Sequence, residues 1–345
     1  STMGSIVGTF LAGFVLIPHM QTIHILIGLA LLSLLSASLL GPMRIKKLLL
    51  VCIALALAEI WGWNISTSSH VLASIPSPYA LITVKNTTID GRPATVVARD
   101  SEIHAGVYQD TREAAFPIYR SFSTLDAYFS PHPQRGLLLG GGIYDLAKRF
   151  LDRYPTSTID AVEIDPEMTR VAETYFHLEQ SPRLRITHED ARVFLNQSSE
   201  DHTYDIIYND SFSSFYSVPF QLTTKEAVAH MRRLLRDDGV VLSNIVSGLD
   251  GKQALFLNAE YKTFLSVFPF VRVFAVGDET NTKVAQNFLL VASPQPIEPK
   301  QKNTIAAAMV QKEVFPAVSN TTPILSDEFA PVDYFVSRLR LPGRE

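Results

Sequence analysis

The sequence predicts an α/β protein with a doubly wound, mostly parallel seven-stranded sheet, preceded by a small β subdomain and by N-terminal transmembrane helices. Three observations carry this prediction. From residue 135 onward, short apolar runs alternate with helical patterns, the signature of a parallel sheet covered on both faces. Leu137 to Ile143 reads as a buried strand running into Gly140, Gly141 and Gly142, and Val162 to Pro166 as a second strand ending in acids. Residues 1–63 are almost uncharged, whereas 64–345 have the composition of an ordinary globular chain.

Taken in order, residues 1–63 contain three apolar runs. Residues 4–18 form a short run in which Gly4, Gly8 and Gly13 would allow close helix packing. Residues 23–40 are long enough to span a bilayer at about twenty residues per crossing. Residues 48–60 are interrupted by Glu59 and closed by Trp61 and Trp63, which suit a membrane interface. No basic start precedes the first run, so a cleaved signal peptide is not indicated, and 1–63 read as the C-terminal part of a membrane domain. Arg44, Lys46 and Lys47 place their loop in the cytoplasm by the positive-inside rule. A cytoplasmic globular part then means either that the run 48–60 lies along the membrane without crossing it, which Glu59 and the short uninterrupted run favour, or that the rule fails here.

Residues 64–78 are Ser/Pro-rich and read as a linker. Residues 79–130 read as a β-rich subdomain: 79–85 and 94–99 alternate apolar and polar residues around Asp90-Gly91, a hairpin signal, and 114–129 has helical spacing. Residues 131–293 hold the main sheet, with strands expected at 136–139, 158–163, 183–187, 204–209, 240–245, 271–275 and 287–292. Helices fall between them at 144–154, 166–175, 191–197, 224–236 and 252–268. The last two strands are joined by a short polar link, which permits only antiparallel pairing. One reversed strand in a parallel set of seven is the layout of the Rossmann-like S-adenosylmethionine-dependent methyltransferase fold. Residues 294–345 form a C-terminal extension with one more helix expected at 305–314.

Composition narrows the functions. The net charge of −4 gives no electrostatic case for nucleic-acid binding. A single cysteine, Cys52, excludes an intramolecular disulfide and a cysteine metal cluster. The nine histidines show no ligand spacing, so no metal site is expected.

Ligands in such sheets bind at the carboxyl ends of the strands. Gly140, Gly141 and Gly142 end the first strand; Glu163, Ile164 and Asp165 follow the second, at the spacing of about twenty residues that suits a carboxylate gripping a ribose. Asp190 and Ala191 follow the third strand, where Asp190 either accepts an adenine amino group, caps the next helix, or does both. Asp210 follows the fourth strand, where the reacting centre would lie. His104 reads equally as a base and as a surface histidine at a strand end. Tyr108, Tyr119, Phe212 and Tyr216 line an amine pocket or belong to the core, the second being the commoner lot of aromatics.

Leu138-Leu-Gly-Gly-Gly142, Val162-Glu-Ile-Asp-Pro166, Glu189-Asp-Ala191 and Tyr204-Asp-Ile-Ile-Tyr-Asn-Asp-Ser211 together resemble the spermidine synthase (polyamine aminopropyltransferase) family over roughly residues 79–293. Gly4-Ser-Ile-Val-Gly8 and Asp327-Glu-Phe-Ala-Pro331 are similar to bacterial proteins that fuse transmembrane helices to a spermidine synthase-like domain. The resemblance implies that Gly140–Gly142 and Glu163-Ile164-Asp165 hold the nucleoside and its ribose, that Asp190 and Ala191 face the adenine, and that Asp210 is the base for an amine nucleophile. It implies Tyr79, His104, Ser213 and Tyr216 on the amine side. Decarboxylated S-adenosylmethionine or S-adenosylmethionine is the implied co-substrate, with no metal and a small amine as partner. A membrane partner through 1–63, a multi-pass inner-membrane location with a cytoplasmic catalytic domain, and compatibility with a homodimer complete the expectation.

The departures from the family pattern are specific. Ile143 stands where the family carries an aspartate, Tyr144-Asp145 where it carries two glycines, and Ser213 where it carries a second acid. His104 and Ala80 stand where glutamines are usual. The nucleoside half of the pattern matches, and the diamine half has fewer carboxylates for charge-assisted bonds. The expected activity is aminopropyl transfer to an amine such as putrescine. Methyl transfer, a lyase reaction, or a non-catalytic nucleoside or polyamine sensor are the alternatives.

Overall fold

Residues 2–17, 20, 22–40, 70–100, 102–130, 132–211, 218–280, 282, 284–298 and 304–339 are described by the structure, a computed structural model. The chain divides into two units, Ser1–Ile103 and His104–Glu345. The division falls inside the stretch 79–130 because helix 117–129 packs its Phe122, Leu125 and Phe129 into the core of the second unit.

The first unit begins with α1 (Thr2–Leu11), a π-helical turn (Ala12–Leu16) and α2 (Thr22–Leu40). The transmembrane helices expected in 1–63 are overturned: among the described residues no helix is long and apolar enough to cross a membrane. The ten residues of α1 rise only about 15 Å, against about 30 Å of hydrocarbon. The membrane partner and the multi-pass inner-membrane location fall with them. The run 48–60 lies outside the described residues.

Strands β1 (Val71–Pro76), β2 (Leu81–Ile89), β3 (Arg92–Arg99) and β4 (Glu102–Tyr108) form a four-stranded sheet in chain order. The expected hairpin is present: β2 and β3 pair antiparallel, closing at Ile89 opposite Arg92. Asp90 and Gly91 both have positive φ, the geometry of a two-residue hairpin turn with the twist of its strands. Strand β1 occupies part of the expected linker. Its Pro76 is tolerated because β1 is an edge strand and Pro76 is its last residue.

In the second unit, α3 (Pro117–Phe129) precedes β5 (Arg135–Leu139). Then α4 (Asp145–Arg153), β6 (Thr158–Val162), α5 (Pro166–Tyr175), β7 (Leu184–Thr187), α6 (Ala191–Gln197) and β8 (Tyr204–Asn209) alternate. They are followed by α7 (Lys225–Leu234), β9 (Leu235–Ser247), α8 (Leu255–Leu265), β10 (Phe270–Ala275), β11 (Gln286–Ser293), α9 (Thr304–Val310), β12 (Glu313–Val314) and α10 (Val332–Val336). The sheet order is β12-β10-β11-β9-β8-β5-β6-β7. Strands β9, β8, β5, β6 and β7 are parallel, and β11 runs against both β9 and β10, so among the expected seven the reversed strand falls where the short link required it; β12 also runs against β10. The eighth strand, β12, is an addition to the expected seven. Two residues suffice because Arg272 grips Glu313 with both guanidinium donors, at 2.8 and 2.6 Å.

Successive residues of the central strands enter opposite cores. Leu137, Leu139, Ile207 and Val241 face the side covered by Met231, Leu257 and Phe264, whereas Leu138, Ile206, Tyr208 and Leu242 face Phe122, Phe129 and Phe150. The second core contains a carboxylate. Asp126 is buried, accepts hydrogen bonds from Tyr208 (2.6 Å) and Tyr154 (3.3 Å), and pairs with Arg153 at 3.0 Å. Burial pushes its carboxyl up to about 6 despite these bonds. Asp126→Ala strands two buried phenols and takes the carboxylate from Arg153, which keeps the Ser123 carbonyl, and is expected to cost about 3 kcal/mol in urea unfolding.

Candidate active site

Two glycines are required by geometry where β5 ends. Gly140 has φ +91°, and a Cβ on it would lie 2.5 Å from the carbonyl oxygen of Asp210. The turn after β5 therefore presses against the turn after β8, where the Asp210 N–H donates to the Leu139 carbonyl at 3.0 Å. Gly142 also has positive φ, but a Cβ there would meet nothing within 4 Å, so the loop has an open side.

Glu163 ties the loop to β6. Its Oε2 accepts the N–H groups of Gly141 and Gly142, both at 2.9 Å, and its Oε1 accepts that of Asp165 at 2.9 Å. Asp165 is wholly buried and caps α5 through the Glu167 N–H, while Ile164 is half-buried between the two acids. Asp190 caps α6, its Oδ1 accepting from Arg192 (2.7 Å) and Val193 (3.3 Å); the other oxygen is not committed to the cap. Ala191 beside it is buried.

Asp210 keeps partial solvent access, yet lies deep enough that burial pushes its carboxyl up to about 7. One bond opposes the shift: Asn244 on β9 donates to Oδ1 at 2.9 Å, and is itself held by Asn287 on β11 at 2.9 Å. Sequence reasoning missed this pair. The available signal was a polar Ser243-Asn244 inside an otherwise apolar strand. The Ser211 hydroxyl is buried and has no hydrogen-bond partner among the described residues.

Tyr119, on α3, is brought to this place. Burial, then the charges of Asp210 and Asp145, raise its pKa well above the ordinary value, so it stays a phenol and donates to the His104 carbonyl at 3.2 Å. Asp145 is buried at the start of α4, where it pairs with Arg149 at 2.6 Å. The structure thus turns Asp145 inward. His104 itself is half-buried at the edge of the second unit, and Tyr108 is core. Tyr79 belongs to the first unit and is exposed; Phe212, Ser213 and Tyr216 lie outside the described residues.

Ile143 is buried, so the position of the family's aspartate is apolar. Tyr144 adopts a left-handed conformation with φ 57°, costing about 1–2 kcal/mol for a residue with a Cβ. Its ring, wholly buried under Gly141, and its 2.6 Å bond to Thr169 offset that cost; Thr169 in turn meets His188 Nε2 at 2.8 Å. Among the described residues no group of three or more His, Cys, Asp or Glu could hold a metal ion.

These features coincide with what similarity shows. Residues 121–270 match the model of the spermine/spermidine synthase domain. A polyamine aminopropyltransferase of Vibrio vulnificus is 28% identical over 240 residues, 66% of this chain and 78% of that protein. An N-terminal histidine N-methyltransferase of Emericella nidulans is 29% identical over 238 residues, but the match covers only 37% of its length. The crystal structure of a probable spermidine synthase from Corynebacterium glutamicum superposes with a TM-score of 0.58 at 23% identity, covering 80% of this chain and 96% of that one, and this likeness establishes the shared fold.

Proposed function

We propose, from this chain's membership of the spermidine synthase family and from the setting of Asp210, that it is a transferase moving an aminopropyl group from decarboxylated S-adenosylmethionine to an amine. The observation that carries the reading is a carboxyl held near 7 at a strand end, against the glycine loop. An ammonium group has no lone pair, so the amine must lose a proton before it attacks. Asp210 takes that proton. The amine nitrogen then bonds to the aminopropyl carbon beside the sulfonium, the carbon–sulfur bond breaks, and its electron pair neutralises the sulfur as methylthioadenosine leaves. The new ammonium centre forms beside Asp210, which becomes a stabilising carboxylate again once it releases the proton to solvent.

In this reading Glu163 accepts the ribose hydroxyls and Asp190 the adenine amino group, with Ala191 against the ring. The open side of Gly142 admits the nucleoside close to the backbone. Asp145 and Asp210 leave the Tyr119 end of the site electronegative, which suits a cation. His104, Tyr79, Ser213 and Tyr216 are assigned to the amine side on the family resemblance.

A second reading has its own support. Ile143 removes the acid that would hold the propylamine of a decarboxylated donor, and the Emericella relative is a methyltransferase. Incubation with either donor and a mixture of amines, followed by mass spectrometry, separates the readings. Methylthioadenosine with a lengthened amine, from the decarboxylated donor alone, is expected. S-adenosylhomocysteine would instead mean methyl transfer, methylthioadenosine without amine consumption a lyase, and binding without any product a sensor.

The Asn244 bond supplies a finer test. It favours the ionised form of Asp210, so Asn244→Ala should move the acidic midpoint of the rate profile upward by about one pH unit.

A further inference from the structure

The motif Asp327-Glu-Phe-Ala-Pro331 has no part in this chemistry, yet it reaches the adenine side of the site. Arg192 follows Asp190 and Ala191 in the first turn of α6. Its Nη2 donates to Asp327 Oδ2 at 2.6 Å, and its Nη1 to the Gln221 carbonyl (2.9 Å) and the Thr224 hydroxyl (3.0 Å). Thr224 donates in turn to Asp327 Oδ1 at 2.7 Å, and the Asp327 N–H donates to Glu226 at 3.0 Å. The segment carrying Asp327 is itself anchored, because Leu325 is wholly buried and its N–H and carbonyl bond to Thr263 and Lys225, each at 2.9 Å.

Helix α6 needs such a hold. It has seven residues and buries only Ala191 and Leu195, so packing alone defines its rotation poorly. The Asp190 carboxylate is oriented by the N–H groups of that same first turn. A guanidinium fixed at four acceptors, the fourth being Asn196 Oδ1 on the same helix at 2.9 Å from Nε, with its side chain only 13% exposed, sets the turn and therefore the direction of Asp190.

We propose that Asp327 is a positioning residue for the nucleoside, acting through Arg192 on the Asp190–Ala191 turn. The inference rests on the reading that this turn faces adenine. Titration calorimetry of the whole chain with 5′-methylthioadenosine tests it, using wild type, Asp327→Ala, Asp327→Asn, Arg192→Lys and the exchanged pair Arg192→Asp/Asp327→Arg. Asp327→Ala is expected to weaken binding about tenfold at unchanged stoichiometry, the worth of a charge-assisted hydrogen bond. Asp327→Asn, nearly isosteric, should fall between it and wild type, and carries the test if the alanine variant does not fold. Arg192→Lys loses the fork and should also weaken binding; the exchanged pair should recover part of the loss. An unchanged affinity in the Asp327 variants, or a fall in stoichiometry alone, overturns the inference, the latter pointing to a merely structural role. Wild type that binds no methylthioadenosine overturns the nucleoside reading as well, so the two failures are distinguishable.

Discussion

Asp210→Asn is expected to cut turnover by about 10³-fold while methylthioadenosine binds with near-wild-type affinity. The substituted amide keeps the shape of the site and can still meet Asn244, but it cannot take a proton. The wild-type rate should rise with pH through about 7, as the carboxyl ionises, and the variant should lose that limb. Stopped product assays across pH 5–9 read both effects. An unchanged rate in the variant would remove Asp210 from the chemistry, and a parallel loss of nucleoside binding would make it a structural residue instead.

The same shift has a consequence for stability. The folded carboxyl holds its proton more tightly than the unfolded chain does, with the ordinary value at 3.8 and the folded value at about 7. By linkage, this group's contribution to stability falls as pH rises through that window and is fully lost above it. Asp210→Asn removes the penalty, so the inactive variant should melt at a higher temperature than wild type at pH 8 and near the same temperature at pH 4. A base kept near neutrality by burial weakens the fold at the pH where it works.

How much of this was legible depends on how local the signal is. The parallel strands were readable because both of their faces are buried, which leaves continuous apolar runs such as Leu137–Leu139. Strand β9 begins five residues earlier than expected because Arg236, Asp237 and Asp238 are exposed there and look like a loop. The register shift between Tyr204 and Ile206 on β8 accommodates that stretch, and no local pattern announces it. Strand β1 was read as linker for its serine and proline content, and β12 is too short to carry a pattern. The acids at three strand ends were visible because each follows its own strand. Asn244 was hidden inside a strand, and the partner of Arg192 lies 135 residues away, beyond any spacing rule. The apolar N-terminal runs show the opposite error, since composition suggested spans that the described helices do not provide.

Gly140→Ala should do more damage than any other single methyl added to the site. At φ +91° an alanine is strained by at least about 2 kcal/mol. The clash adds to this, since the new Cβ would sit 2.5 Å from the Asp210 carbonyl oxygen and 2.9 Å from its carbon, and backbone cannot rotate aside as a flexible side chain can. The two turns must separate, carrying Asp210 away from the glycine loop that would hold the donor. A displacement of about 1 Å can itself cost about 100-fold in rate, so turnover should fall at least that far together with the melting temperature. Gly142→Ala is the informative contrast. It also has positive φ, but its Cβ would enter open space, so the strain is about 1–2 kcal/mol and nothing is pushed. If that open space receives the nucleoside, Gly142→Ala should weaken methylthioadenosine binding far more than its modest loss of stability explains. If binding survives, the ligand approaches from elsewhere, and the loop serves only to join β5 to α4.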